Sequence, residues 1–123
     1  MEFVIRIHQA DRAGLHYDFH LQMDPQTGVF ESWAIRKGLP NKDVQHLAIR
    51  TQDHTTEGAF TSGTITGGYG KGTTSVTDSG EYVLLSRSPG RRKIRLLGNV
   101  YRGDYSLYHT PNYGKNTWLI RKV

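Results

Sequence analysis

Apolar and polar residues alternate with a period of two along most of this chain. Residues 15–24, LHYDFHLQMD, are the cleanest case: Leu15, Tyr17, Phe19, Leu21 and Met23 alternate with His16, Asp18, His20, Gln22 and Asp24. That period predicts a strand with one buried face, so His16, Asp18 and His20 stand in one row. Phe3, Ile5 and Ile7 alternate with Val4, Arg6 and His8 in a strand before it. Residues 29–36 predict a third strand, with Val29, Glu31, Trp33 and Ile35 on one side and Phe30, Ser32 and Ala34 on the other. Residues 44–51 predict a fourth, with Leu47 and Ile49 inward and His46, Ala48 and Arg50 on the opposite face.

Turn residues punctuate this pattern. Residues 24–28, DPQTG, read as a hairpin loop, and residues 37–41, KGLPN, as a break. Residues 9–14 form a polar connection containing Asp11, Arg12 and a glycine. Later segments read as strands at 73–77 and 81–86 about a turn at Asp78-Ser79-Gly80, then at 94–97, 100–101, 105–108 and 118–120; residues 60–66 are weakly patterned. Without internal repeats or long helical patterns, the expectation is one all-β domain over residues 1–123. It would be a small closed or nearly closed β-barrel of about eight strands, with a polar face built from the first half.

Composition narrows the class. The 123 residues include 14 glycines, 4 prolines and no cysteine. Disulfides and thiolate metal sites are therefore excluded, and a reducing compartment fits. No run is long and apolar enough to span a membrane, and MEFVIRIHQA lacks the layout of a signal peptide. A soluble, cytoplasmic monomer is the expectation. The net charge of +5 is uneven: residues 1–60 carry 6 bases and 8 acids, residues 61–123 carry 10 bases and 3 acids. The basic second half points to a polyanionic partner, nucleic acid first. Residues 86–95, SRSPGRRKIR, hold five bases and no acid and read as a loop or a phosphate-backbone contact. The glycine-rich GGYGKG at 67–72 lacks Walker spacing and reads as a tight turn before a phosphate cradle.

The sharpest chemistry lies early. Two imidazoles and a carboxylate, His8, His16 and Asp18, suit a divalent metal such as Mn²⁺ or Zn²⁺ and leave coordination positions open. His8 must reach the other two from a neighbouring strand. His54, directly after Asp53 at a strand end, and His20 are candidates to bind or protonate phosphate oxygens.

Taken together, FVI-R-IH, LHYDFHLQM, SWAIRKGLP, HLAIRTQDH, GGYGKGTTSV with DSGEY, and LLGNVYRGDYSLY…WLIRKV resemble the 3′-phosphoesterase domain of bacterial DNA ligase D and its free-standing relatives. The resemblance implies a small β-barrel enzyme, usually Mn²⁺-dependent, that removes a 3′-phosphate or a 3′-terminal ribonucleoside at DNA breaks to leave a 3′-OH. It implies a metal on His8, His16 and Asp18, a scissile-phosphate contact from His54, and an active-site lysine at Lys37. A separate DNA ligase is then a candidate partner.

Three positions depart from the family pattern. His20 stands where an arginine is common two residues past the ligand aspartate, and His46 where an arginine precedes the LAV-like segment. Arg50, on the face of His46, is the candidate to compensate in substrate binding. No tyrosine follows the DH segment closely; beyond these positions, His8 lies eight residues before His16, longer than the usual family spacing, which implies a bulge at residues 9–14. An arginine clamps phosphate with a bidentate, permanent charge, which histidine does not supply. These losses keep two alternatives open: a weakened barrel that binds nucleic-acid ends without turnover, and a barrel acting on a small phosphorylated metabolite.

Overall fold

Strand faces that meet the interior carry the alternation straight into the fold. The computed structural model describes residues 1–41, 44–66 and 71–123. Among these, nine strands form one antiparallel sheet: β1 (Glu2–Ala10), β2 (Gly14–Asp24), β3 (Val29–Ile35), β4 (Gln45–His54), β5 (Gly63–Ile65), β6 (Gly72–Ser88), β7 (Arg91–Leu97), β8 (Arg102–His109) and β9 (Thr117–Lys122). One helical turn, α1 (Thr56–Ala59), joins β4 to β5. Neighbours run β1-β2-β3-β4-β9-β8-β7-β6, and β6 pairs again with β1. Eight strands therefore form a ring, and β5 adds to β6 as a ninth. The all-β class and the ring are as the alternation predicts. No helix of the described residues is long and apolar enough to cross a membrane.

The inward rows fill the ring. Phe3 and Ile5 of β1, Phe19 and Leu21 of β2, Trp33 and Ile35 of β3, and Ile94, Leu96, Leu107 and Ile120 of the later strands share one core. Glu31 lies on the inward row of β3, at 8% exposure. It receives Arg92 through two bonds of 2.8 and 3.0 Å, with Arg50 at 3.3 Å and Arg87 at 3.5 Å. Arg50 and Arg92 in turn lie over the rings of Trp33 and Trp118. Burial pushes the Glu31 carboxyl up, but the three guanidinium groups, Arg92 foremost, hold it below the ordinary carboxylate value.

Four expectations need correction. On β4 the facing is reversed: Ala48 is buried while Leu47 and Ile49 are exposed. Ala48 pairs with Trp118, whose indole meets that of Trp33 edge-on at 5.5 Å, so the inward site admits only a small residue. The connection at 9–14 does not bulge. β1 and β2 pair without a register shift from Phe3 opposite Leu21 to Ala10 opposite Gly14, where Gly14 takes φ +75°. Asp78-Ser79-Gly80 is not a turn but part of the unbroken 17-residue β6, paired to β1. Residues 100–101 are not a strand. The two errors share a cause: the Asp78 carboxylate accepts the backbone N–H groups of Asn99, Val100 and Tyr101 and so shapes a distant loop. The basic segment 86–95 is the β6–β7 hairpin. Most of the glycine-rich GGYGKG segment, residues 67–70, lies outside the described residues.

Removing the Asp78 acceptor takes the shared partner from the backbone N–H groups of Asn99, Val100 and Tyr101. Asp78→Ala is expected to cost about 3 kcal/mol, read as a fall in the urea midpoint with unchanged slope. Gly98→Ala is expected to destabilise too, because its Cβ would lie 2.2 Å from Asp78 Oδ2.

Candidate metal centre

The outward faces of β1 to β4 carry the candidate site. Unshifted pairing of β1 with β2 sets His8 opposite His16, Arg6 opposite Asp18, and Val4 opposite His20. Directly paired residues share a face, so three rows of chemistry-bearing side chains stack along two strands. His8 Nδ1 lies 2.9 Å from Asp18 Oδ2, and His16 Nε2 lies 3.1 Å from Asp18 Oδ1. The His8 and His16 rings are 4.7 Å apart. One ligand atom from each of the three residues falls within 4.8 Å of the others. That is a compact set of two nitrogens and one carboxylate, fit for a divalent ion of the Mn²⁺ or Zn²⁺ kind. His16 Nδ1 donates to the Gly14 carbonyl at 3.2 Å, so Nε2 is the nitrogen left to ligate an ion once the proton it donates to Asp18 has gone.

Electrostatics tighten the group. The hydrogen bond that protonated His16 donates to the Asp18 carboxylate, aided by the carboxylate's charge, raises the His16 pKa against the pull of burial. Burial pushes Asp18 up, but His16, Arg6 and His8 together hold it below the usual carboxylate value. Arg36, beside His16, acts to lower the imidazole's pKa and brings a cation near the centre.

A chain of hydrogen bonds leads away from the cluster. Arg6 is 5% exposed; its guanidinium lies 3.5 Å from Asp18, and its Nε donates to His20 Nε2 at 3.2 Å. Because Arg6 can only donate, His20 Nε2 accepts and the ring carries its proton on Nδ1. His20 Nδ1 lies 2.6 Å from Ser32 Oγ, and Ser32 Oγ lies 2.8 Å from His54 Nδ1. The Ser32 hydroxyl is thereby free to donate to His54, whose neutral form then bears its proton on Nε2. Burial, Arg6 and His54 push the His20 pKa down to about 3. Burial and Arg6 lower that of His54, so both rings are neutral at pH 7.

His54 reaches this face through a bulge. Ser32 pairs with Thr51, yet Phe30 pairs with His54, so β4 spends one extra residue there. Without that residue His54 would share the face of Arg50. The segment after it closes the site from one side: Thr55 caps α1, while Val4, Phe30, Ala59 and Phe60 form a second small apolar cluster. Arg6 donates to the Thr61 carbonyl at 3.2 Å and ties that segment down.

The structure thus brings together His8, His16, Asp18, His20 and His54. His20 is fully buried, so it acts behind His54 instead of meeting a ligand. Lys37 is exposed on the turn leaving β3. His46 and Arg50 lie on the inward row of β4, away from the cluster. His46 Nδ1 bonds the Gly38 carbonyl at 2.7 Å, and Arg50 is held by Glu31 and Asp53. Arg6 and Ser32 were not singled out from the sequence. Their signal was there, since Arg6 shares the row of His8 and Ser32 that of Phe30.

Residues 6–109 match the family model described as the DNA ligase D 3′-phosphoesterase domain. The chain belongs to this family. It is 50% identical over 98% of its length to the multifunctional non-homologous end joining DNA repair protein LigD of Mycobacterium tuberculosis strain H37Rv. It is 36% identical over 99% of its length to the LigD of Mycolicibacterium smegmatis, and 34% identical over all of it to that of Pseudomonas aeruginosa. The chain spans only 15–17% of the length of these relatives.

Ser32→Ala is expected to break the bridge between His20 and His54 and to cost about 1–2 kcal/mol, the penalty of unpaired buried ring nitrogens. Chemical denaturation gives the loss. Ring ¹⁵N spectra should then show His54 as a mixture of tautomers.

Proposed function

We propose that this domain is a metal-dependent 3′-phosphoesterase of nucleic-acid ends, converting a 3′-phosphate to a 3′-OH and removing a 3′-terminal ribonucleoside in end-joining repair. The observation that carries the reading is the convergence of His8, His16 and Asp18 on one outward face with His54 beside them. The coarser part follows from family membership: a phosphoesterase domain of a DNA repair system.

His8, His16 and Asp18 would hold the divalent ion, Mn²⁺ or Zn²⁺, which when bound supplies positive charge to a phosphate oxygen. His54, neutral and protonated on Nε2, donates a hydrogen bond to the phosphate while Ser32 fixes its ring. Such a positioned donor gains strength where water is scarce. Arg6, held under the site, adds a positive charge; burial pulls its guanidinium below the ordinary arginine value and the Asp18 carboxylate opposes that pull. Arg36 and Lys37 at the rim draw the anionic end inward. With His20 buried behind His54 and His46 and Arg50 facing inward, the phosphate clamp rests on Arg36, Lys37 and His54, with the buried Arg6 charge behind them. A DNA ligase activity would then seal the resulting 3′-OH.

An end-labelled 3′-phosphate primer–template is expected to yield 3′-OH product only with added Mn²⁺ or a comparable ion. His16→Ala and His54→Ala should each lower that rate at least about 100-fold. Salt-dependent binding by the wild type without any metal-dependent product would instead support the end-binding module. Metal binding should also release protons. His16 holds its proton to higher pH than an ordinary histidine, so metal affinity should fall as pH drops through that raised value. Calorimetric titration at pH 7 in buffers of different ionisation enthalpy measures the release.

A further inference from the structure

The charge imbalance along the chain becomes a spatial one in the ring. β2 and β8 stand four strands apart in either direction, as do β3 and β7. The outward faces of β7, β8 and β9 therefore look away from those of β1 to β3. On β7, Arg91, Lys93 and Arg95 are exposed and alternate with buried Arg92, Ile94 and Leu96. Pairing sets Tyr108 beside Arg91 and Ser106 beside Lys93, with Arg121 of β9 next to Ser106. Arg102 continues the face on β8, opposite the outward Leu97. Asp104 is the only acid on these three strands, and Arg95 holds it through bonds of 2.7 and 3.1 Å.

We propose that the outward face of β7, β8 and β9 is a second nucleic-acid surface, which grips the phosphate backbone of a duplex while the β1–β4 face holds a 3′ end. The role of the β1–β4 face rests on the function proposed above; the basic surface does not. Five cations against one acid on a sheet face form a polyanion footprint. Cations at every second residue of β7 lie roughly 6.8 Å apart, close to two phosphate steps of about 3.4 Å along one strand. The cations stand exposed along one strand of a sheet face, so the contact would be to the phosphate backbone and independent of sequence.

The test uses a blunt duplex without a 3′-phosphate, bound in EDTA by wild type, by Arg91→Glu/Lys93→Glu and by His16→Ala. The double variant is expected to lose affinity and to show a salt slope shallower by roughly two, one for each lost phosphate contact. His16→Ala should bind as tightly as wild type. Turnover of a short single-stranded 3′-phosphorylated oligonucleotide should be unchanged in the double variant, and the blunt duplex should not compete with it. Should charge reversal impair folding, Arg91→Gln/Lys93→Gln replaces it with the same expected slope. An unchanged affinity and slope in the folded double variant, or full competition by the blunt duplex, overturns the second surface. A wild type that binds the duplex through β7 but releases no 3′-OH overturns the proposed hydrolase and leaves this surface standing.

Discussion

The register between β1 and β2 is the constraint on which the site depends. A three-residue turn at 11–13 sets Ala10 opposite Gly14, and every later pair follows. Because side chains alternate between faces, a slip of one residue would send His8 to the interior and break the cluster. Both edges of β1 are paired, with β2 on one side and β6 on the other. The strand that brings His8 therefore has no free edge along which to slide, and the ligands are spaced by the backbone before any ion arrives.

Electrostatics add a second layer to this geometry. Arg6 is a buried guanidinium among Asp18, His20 and the Thr61 carbonyl, and each contact satisfies part of its donor set. An unpaired buried charge would be severely destabilising, so its partners are as much a requirement of folding as of the site. The same logic governs Glu31 on the inner face, where one carboxylate gathers three arginines. Glu31 and Ser32 are sequence neighbours on opposite faces of β3, so a single strand separates the interior ion network from the outward chain of imidazoles.

Much of this was legible in the residues. Alternation alone placed Phe19 and Leu21 inward and His16, Asp18 and His20 outward, and the spacing of His8 allowed it to join them. The facing of β4 was not legible, because Leu47 and Ile49 look inward to any rule based on hydrophobicity. Only the bulk of Trp33 and Trp118 explains why Ala48 takes the interior place. Asp78-Ser79-Gly80 carries turn chemistry, yet its carboxylate serves a loop twenty residues on, a contact that local sequence does not encode. Arg50 looked available for phosphate, but Glu31 and Asp53 hold it on the inner side. Arg6 escaped notice because a lone arginine in an apolar strand resembles a solvated one until the segment carrying Thr61 folds over it.

The extra residue in β4 has a consequence for how this domain can change over generations. Which side His54 occupies is decided by counting, since the strand must spend three steps where its neighbour spends two. Substitutions at Gln52 or Asp53 leave that count intact, whereas loss of a single codon there would carry the imidazole through the sheet to the opposite wall. At that corner it is the number of residues that decides the wall on which the imidazole stands.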